Sequence, residues 1–283
     1  MRAIDLHTHS NNSDGTFTVK ELMDYAYKKD LAAIALTDHD TVKGLDEAIS
    51  YAEKHCPGLE VIPGVEVSTV NEGKDCHIVG LYINHHDETF LNRLKELHDV
   101  RERRNVEIAA NLHNIAGFDF TYEDVQKEFP GAVITRAHFA KYLLDKGYVG
   151  SWQEAFDRYI GEGKPCFVPP NRIDPETGVR YILDAGGVPV LAHPILYHLS
   201  DEKLEALVSR LKDAGLIGIE AIYSTYDSRD ERQIKDLAKK YDLLISGGSD
   251  FHGKNKPKID LGSGMGKLFI PEDLLDALKA ARG

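Results

Sequence analysis

The repeated alternation of short apolar segments with amphipathic helical segments is the feature that most constrains the fold of this chain. It begins with a strand-like segment at residues 3–6 and a helical pattern at residues 18–29, whose apolar residues recur every three or four positions. Strands separated by helices pair in parallel, because each crossover returns the chain to the same end of the sheet. The sequence therefore predicts an α/β fold, either a barrel or a wound sheet, between which strand counting does not decide.

This alternation is interrupted in the middle of the chain. Residues 100–170 carry helical patterns without strands and end near the Gly- and Pro-containing loop 161–165. We therefore predict a helical insertion at 100–170 within an α/β domain made of 1–99 and 171–283. The predicted strands are 3–6, 32–36, 60–70, 76–83, 188–192, 216–221 and 243–246, with a turn at 71–74. The predicted helices include 44–54, 122–128, 137–146, 152–160, 176–185, 202–214, 229–241 and 271–281.

The charge balance argues against one class of partner. The 283 residues include 34 Lys and Arg against 46 Asp and Glu, a formal net charge of −12, whereas binding duplex DNA calls for a basic stripe. A small anionic substrate stays compatible with this balance if local cations outweigh it. The three cysteines form no Cys-x-x-Cys pair, and no apolar run approaches the ~18 residues of a membrane span. With no signal peptide evident, we expect a cytoplasmic protein without membrane contact, whose oligomeric state the sequence leaves open.

Five predicted strands end in His, Asp or Glu. The first ends in His7-Thr8-His9, and side chains two positions apart on an extended segment share a face. In parallel architectures, functional groups gather at the carboxyl ends of the strands. Five coincidences at the same topological position predict a metal cluster rather than isolated polar residues. The other four strand ends carry Asp38, His39 and Asp40, then Glu66, then His193, then Asp250 and His252.

The ligand types narrow the chemistry of this cluster. Imidazoles and carboxylates without thiolates suit zinc, manganese or iron. The candidates outnumber the ligands of one ion, so two or three divalent ions are expected, and Glu66 could bridge two of them. Such ions outweigh the ligand carboxylates and create a local site for an anion, for which phosphate is the natural occupant. Bound water of lowered pKa then favours hydrolysis of a phosphate ester, while the ligand types alone also allow hydrolysis of an amide or ester.

Six short motifs follow one another along the α/β part of the chain. They are Asp5-Leu6-His7-Thr8-His9-Ser10, Ser13-Asp14-Gly15, Thr37-Asp38-His39-Asp40, Gly64-Val65-Glu66, Ala192-His193-Pro194 and Gly248-Ser249-Asp250-Phe251-His252-Gly253. In type and order they resemble the PHP (polymerase and histidinol phosphatase) family. The resemblance implies a distorted (β/α)7 barrel around a trinuclear metal centre, with residues 100–170 as a cap.

The same resemblance implies three sets of metal ligands. Many family members have His where this chain has Asp14, and this departure bears on the occupancy of the third ion. The implied sets are His7, His9, Glu66 and Asp250 for one ion, Glu66, His77 and His193 for the second, and Asp14, His39 and His252 for the third.

The middle section resembles the cap of one branch of this family, through Thr135-Arg136-Ala137-His138-Phe139-Ala140 and the run at 155–165. That branch contains phosphoesterases acting on nucleoside 3′,5′-bisphosphates and relatives that trim short RNA from its 5′ end. The resemblance implies that Arg136 contacts a substrate phosphate, which an Arg fork suits. Lys164, Arg172 and His138 are further candidates for substrate binding. The run Arg101-Glu102-Arg103-Arg104 is expected on a solvated helix face.

The leading hypothesis is a phosphoesterase that removes the 3′-phosphate of nucleoside 3′,5′-bisphosphates, with His193, Asp250 and Arg136 as catalytic residues. The expected partner is therefore a small phosphorylated molecule, either a nucleotide or the end of a short RNA. Three alternatives stay open: a 5′–3′ exoribonuclease, a histidinol phosphate phosphatase, and a non-catalytic metal-binding module. A metal-dependent amidohydrolase also uses His-x-His on its first strand, but it typically adds a lysine or carboxylated-lysine bridge where this chain has Glu66.

Overall fold

The strands of the chain form a nearly closed barrel in a computed structural model that describes residues 2–282. Within that range seven strands are neighbours in chain order. The barrel closes between its first and last strands, where the Asp250 amide donates to the His7 carbonyl at 2.8 Å and the His9 amide donates to the Phe251 carbonyl at 3.0 Å. The predicted distorted α/β barrel is confirmed. The strands are β1 (Ile4–Thr8), β2 (Ala33–Leu36), β3 (Glu60–Asn71), β4 (Lys74–Leu81), β5 (Val188–Leu191), β6 (Gly218–Tyr223) and β7 (Leu244–Gly248).

One strand departs from the parallel pairing predicted for the alternating elements. β4 pairs antiparallel with both β3 and β5, because a strand joined to its predecessor by a tight turn must reverse direction. The turn places Glu72 and Gly73 at φ 50° and 81°, the left-handed region that two-residue hairpin turns require. The reversal matters for the site, since the amino-terminal half of β4 lies beside the carboxyl-terminal half of β3.

The helices begin at capping residues and pack around the barrel. Asp87 accepts the Phe90 amide at 2.7 Å where the longest helix starts, and Asp174 and Ser200 cap two others in the same way. The helices are α1 (Val19–Lys28), α2 (Leu45–His55), α3 (Glu88–Asn114), α4 (Tyr122–Glu128), α5 (Arg136–Asp145), α6 (Trp152–Ala155), α7 (Pro175–Asp184), α8 (Asp201–Asp213), α9 (Ser228–Lys240) and α10 (Leu274–Ala280). A π-helical turn, Phe156–Ile160, continues α6.

Alternate residues of the strands separate two apolar layers. On β2, Ile34 and Leu36 belong to the layer shared with the surrounding helices, whereas Ala33 and Ala35 belong to the layer inside the barrel. This period of two is the normal consequence of the pleat. The small residues inside leave room for the large side chains of neighbouring strands.

The helical insertion has an apolar core of its own. Its largest fully buried side chain is Phe139 of α5, which packs with residues drawn from 108–168. The boundary predicted between residues 99 and 100 lies inside α3, so a continuous helix joins the barrel to the insertion. No helix among residues 2–282 is both long and apolar enough to cross a membrane.

Candidate active site

The imidazoles at the carboxyl end of β1 meet the carboxylates of β3 and of the segment after β7 at the mouth of the barrel. His7 Nε2 and His9 Nε2 each lie 3.2 Å from Glu66 Oε2, and His9 Nε2 lies 3.3 Å from Asp250 Oδ1. All four side chains are buried. The structure therefore brings together the four residues of the first implied ligand set.

The second oxygen of Glu66 faces a different pair of imidazoles. His77 Nδ1 lies 2.8 Å and His193 Nε2 lies 3.1 Å from Glu66 Oε1. His77 is not at a strand's carboxyl end; it reaches the mouth because β4 runs antiparallel and starts there. Glu66 thus stands between two groups of imidazoles, one for each of its oxygens.

A third group surrounds Asp14 in the loop after β1. His252 Nε2 lies 3.1 Å from Asp14 Oδ1, and His39 Nε2 lies 3.9 Å from the same oxygen. The other ring nitrogen of His39, Nδ1, lies 3.1 Å from Glu66 Oε2. His39 therefore contacts both Asp14 and Glu66, whereas the implied sets place it only with Asp14 and His252.

The donor atoms at this mouth fit divalent metal ions. Several of its side-chain atoms are buried without a hydrogen-bond partner among the described residues, including His7 Nε2, His9 Nε2, Asp14 Oδ1, His39 Nδ1 and His77 Nδ1. Such atoms are costly to leave unsatisfied, and these point toward one another in overlapping groups. Bound cations would satisfy them, and nitrogen and oxygen donors without sulfur suit manganese, zinc or iron.

The electrostatics of the carboxylates agree with this arrangement. Burial acts to raise the pKa of Glu66, but the imidazoles of His39, His77 and His7 outweigh it and hold that pKa well below its usual value. Burial likewise acts to raise the pKa of Asp250, but Lys256 and His252 outweigh it and hold that pKa well below its usual value. Both groups are therefore ionised and able to act as ligands at neutral pH.

Glu220 of β6 orients two of the imidazole-bearing segments and was missed by the sequence analysis. Its Oε1 accepts a hydrogen bond from His7 Nδ1 at 3.1 Å, and its Oε2 accepts the His193 amide at 2.7 Å. A carboxylate that holds the far nitrogen of a ligand imidazole fixes its tautomer and ring orientation. Glu220 belongs to none of the motifs and lies inside a predicted strand, so the sequence carried no local signal for it.

Asp250 is held on the side facing away from the imidazoles. Its Oδ2 accepts a hydrogen bond from the Tyr223 hydroxyl at 2.6 Å and contacts the Lys256 ammonium. Oδ1 is thereby left toward His7 and His9. Tyr223 is buried, so its role here is to fix this carboxylate.

A cationic cavity of about 170 Å³ adjoins the cluster. Asp14, His39 and His77 line one side of it. The remaining wall brings together four arginines from the insertion and its junction with the barrel. They are Arg101 and Arg104 of α3, Arg136 at the start of α5, and Arg172 in the segment before α7.

The four candidate substrate-binding residues have different positions. Arg136 and Arg172 line the cavity, where each donates a hydrogen bond to Asp75, at 2.7 and 2.8 Å. Lys164 is exposed and is not among the residues that line the cavity.

His138 is buried beneath the cavity wall, where its Nδ1 accepts the Thr135 amide at 2.9 Å. Thr135 Oγ1 in turn donates to Asp14 Oδ2 at 3.0 Å, so the structure places His138 as a support for the cluster rather than at the cavity surface.

The expectation that the arginine run of α3 faces solvent is wrong for two of its members. Arg101 and Arg104 are only 5% and 7% exposed. Arg101 pairs with Asp40 and donates to Ser68 Oγ at 2.8 Å. A signal for this was present: Leu94, Leu97, Arg101, Arg104 and Ile108 recur at helical spacing and form one buried stripe of α3.

Like Arg101, whose Nε is buried without a partner among the described residues, Arg104 brings an unsatisfied nitrogen to this cavity. Its Nε donates to the Val168 carbonyl at 2.9 Å, while its buried Nη2 has no hydrogen-bond partner among residues 2–282. Burial, together with the neighbouring charges of Arg172 and Arg136, lowers the pKa of Arg104 to about 9. A buried guanidinium in this position favours binding of an anion that accepts a hydrogen bond from its free Nη2.

Comparison with known proteins agrees with this geometry. A profile of the PHP domain matches residues 5–159. The chain is 38% identical over 265 residues to a 5′-3′ exoribonuclease of Haemophilus influenzae, covering 90% of this chain and 95% of the relative. It is 34% identical over 263 residues to a 3′,5′-nucleoside bisphosphate phosphatase of Chromobacterium violaceum, covering 93% and 91%.

The fold is likewise similar to a solved structure. An amidohydrolase from Chromobacterium violaceum, solved with bound sulfate and no metal, superposes with a TM-score of 0.87 and 33% identity, covering 98% of this chain and 96% of that one. The matching profile covers more than half of the chain, and the curated relatives match along almost all of it. Together with the motifs at the barrel mouth, these matches show that the chain belongs to the PHP family.

Proposed function

We propose that this protein is a metal-dependent phosphoesterase whose substrates carry two phosphate groups, most specifically nucleoside 3′,5′-bisphosphates that lose their 3′-phosphate. The observation that carries the proposal is the contact between two sites: the imidazole–carboxylate cluster and the arginine cavity share Asp14, His39 and His77 as lining residues. One phosphate would lie at the cluster while the second lies among the arginines. The Chromobacterium violaceum relative is named for this substrate class.

The charge of the cavity supports a terminal phosphate as its occupant. Four guanidinium groups line it or border it, and two carboxylates, Asp40 and Asp75, are paired with three of them. On the arginine side this leaves an excess of two positive charges, before Asp14 of the cluster is counted. That excess suits a phosphate monoester dianion better than an internal phosphodiester, which carries only one negative charge. Arginine forks also present paired donors to phosphate oxygens.

The metal centre would hold two or three divalent ions, with manganese, zinc or iron as the candidates. His7, His9, Glu66 and Asp250 would hold one ion, Glu66, His77 and His193 a second, and Asp14, His39 and His252 a third. When bound, such ions lower the pKa of water and neutralise the charge of a phosphate during in-line displacement. This division keeps Glu66 between the first two sites, as its two oxygens are placed.

The protein's own groups would prepare the substrate for that chemistry. Arg136 and Arg104 bind and orient the second phosphate, which fixes the scissile ester over the cluster. Asp250 is kept in one orientation by Tyr223 and Lys256. His193 contacts Glu66 through Nε2, and its Nδ1 is buried without a hydrogen-bond partner among the described residues. Residues 100–170 would act as a cap that supplies three of the four arginines.

A second candidate is a 5′–3′ exoribonuclease acting on short RNA. It is favoured by the similarity to the Haemophilus influenzae relative of that name. The arginine cavity would then hold the 5′-phosphate of the RNA end, and the first phosphodiester would lie at the cluster. The two candidates use the same residues and break the same kind of bond, between phosphorus and the 3′ oxygen of the bound nucleotide. They differ in what else that phosphorus carries: in the bisphosphate it is released as inorganic phosphate, and in RNA it stays on the 5′ end of the remaining chain.

The test compares four substrates with the manganese-loaded protein: adenosine 3′,5′-bisphosphate, adenosine 3′-monophosphate, a 5′-phosphorylated pentaribonucleotide, and the same pentamer with a 5′-hydroxyl. Faster phosphate release from the bisphosphate than from the monophosphate supports the leading proposal. Faster release of mononucleotides from the 5′-phosphorylated pentamer supports the exoribonuclease. Equal rates with and without the second phosphate would contradict both, because the cavity would then contribute no binding. The matched control is Arg103→Met on the exposed face of α3, which should leave every rate unchanged.

A further inference from the structure

Asp75 of β4 occupies an unusual position in the wall of the arginine cavity. It accepts Arg136 Nη2 on Oδ2 at 2.7 Å and Arg172 Nη1 on Oδ1 at 2.8 Å. Arg136 comes from the helical insertion and Arg172 from the segment that returns to the barrel. One carboxylate on a barrel strand therefore bridges an arginine of the insertion and an arginine of the segment that follows it.

We propose that Asp75 is a positioning residue that determines specificity for the second phosphate, an inference that rests on the proposed function. Each arginine gives Asp75 a single nitrogen, and its side chain makes no other hydrogen bond among residues 2–282. A guanidinium carries five N–H donors, so most of each fork is left for a substrate phosphate. The carboxylate bridges the two cations without consuming them.

The bridge is needed because the cations repel one another. Arg172 is only 11% exposed and lies near Arg101 and Arg136, and burial together with these charges lowers its pKa to about 10. Phe167 supports Arg136 from below, with the guanidinium carbon 5.4 Å from the ring centre. Asp75 supplies the opposite charge that holds the two forks side by side.

The position of Asp75 on its strand links the two phosphate sites. It is two residues from His77, which contacts Glu66 in the metal cluster. Side chains two apart on a strand share a face, so β4 presents the arginine bridge and a candidate ligand toward the same mouth. The spacing between them sets the distance between the phosphate held by arginines and the phosphate at the cluster.

A competing interpretation makes Asp75 an internal anion that blocks the arginines until substrate displaces it. The two interpretations predict opposite effects of Asp75→Asn. As a bridge, the carboxylate is required, so its loss weakens binding of the second phosphate. As a competitor, its loss frees both arginines and tightens binding.

The experiment measures KM and kcat of Asp75→Asn for adenosine 3′,5′-bisphosphate and for adenosine 3′-monophosphate, which lacks the second phosphate. We expect KM for the bisphosphate to rise about tenfold, the value of one charge-assisted hydrogen bond, with kcat within about threefold. KM for the monophosphate should change less than about twofold. Asp75→Glu retains the charge and should recover most of the affinity, and Asp213→Asn, an exposed Asp on α8, is the matched control.

Binding of inorganic sulfate to the metal-free protein gives a second readout that needs no turnover. We expect its dissociation constant to rise about tenfold in Asp75→Asn and to stay at the wild-type value in Asp213→Asn. If the wild type hydrolyses neither nucleotide, the proposed function fails and the sulfate measurement alone decides the role of Asp75. An unchanged or lower KM or sulfate constant in Asp75→Asn, or a parallel loss for both nucleotides, overturns the inference. If Asp75→Asn does not fold, an Asp75→Glu variant that binds sulfate no better than a variant lacking Arg172 overturns it as well.

Discussion

Arg104 offers a test in which stability and function should move in opposite directions. It is 7% exposed, its Nη2 has no hydrogen-bond partner among the described residues, and two further arginines lie nearby. In the absence of substrate this charge destabilises the fold, and in its presence it contributes binding. We therefore expect Arg104→Met, which keeps the volume and removes the charge, to raise stability and weaken binding of the bisphosphate.

The magnitude follows from the pKa and the lost contact. A pKa lowered from 12.5 to about 9 corresponds to roughly 5 kcal/mol of destabilisation at neutral pH. Losing the Nε bond to the Val168 carbonyl costs about 1–3 kcal/mol. The net gain is about 2–4 kcal/mol, or about 4–16 °C in Tm for a domain of this size. Binding should weaken about tenfold to a hundredfold, the range for hydrogen bonds to charged groups.

The sign of the pH dependence provides an internal check. The folded protein binds the Arg104 proton less tightly than the unfolded chain, so the penalty is complete below the folded pKa of about 9 and declines above it. The stability advantage of Arg104→Met should therefore be largest near pH 7–8 and smaller at pH 10. Thermal unfolding at both pH values and KM for adenosine 3′,5′-bisphosphate measure the two effects, with Arg103→Met as the exposed control. A lower Tm in Arg104→Met, or an unchanged KM, would refute the reasoning.

Three further perturbations test the support of the cluster. Glu220→Gln removes an acceptor from His7 Nδ1 or the His193 amide and should weaken metal binding about 10–100-fold; metal content after dialysis against graded chelator measures this, and unchanged content contradicts it. His138 has its pKa lowered to about 4, chiefly by burial, so the folded state resists protonation and loses stability as the pH falls through 6.5 toward 4. Urea unfolding should show wild type losing about 2 kcal/mol relative to His138→Gln between pH 7 and pH 5, whereas parallel curves would assign the acid sensitivity elsewhere. Chelation should abolish phosphate release and lower Tm, and added manganese should restore both; a Tm indifferent to manganese would argue against ions at Glu66.

The strand-helix pattern predicted the barrel because it depends on local periodicity. Apolar positions three or four apart located the helices, and short apolar runs located all seven strands, with ends that moved by a few residues. The last helix begins at Leu274 rather than at residue 271, because Pro271 still pairs with Ala3 in an isolated bridge. The alternation of strands and helices implies parallel pairing throughout, so it did not predict the antiparallel pairing of β4.

The partners of charged side chains were predicted less well. Arg101 and Arg104 look like solvated residues when read along the chain, yet their partners Asp40 and Val168 lie 61 and 64 residues away. Glu220 is 213 residues from the imidazole that it orients. Burial of a charge depends on which distant group neutralises it, and no local pattern reports that group.

The amino-acid order alone thus determined that imidazoles and carboxylates would gather at one mouth. Residues at the ends of consecutive strands converge whenever helices return the chain to the same side of the sheet. What lies beside that mouth was decided only by how the insertion packs on the barrel. Buried arginines need carboxylates placed opposite them, and only the folded chain brings those groups together. That contact places a cationic cavity directly beside the cluster of candidate ligands.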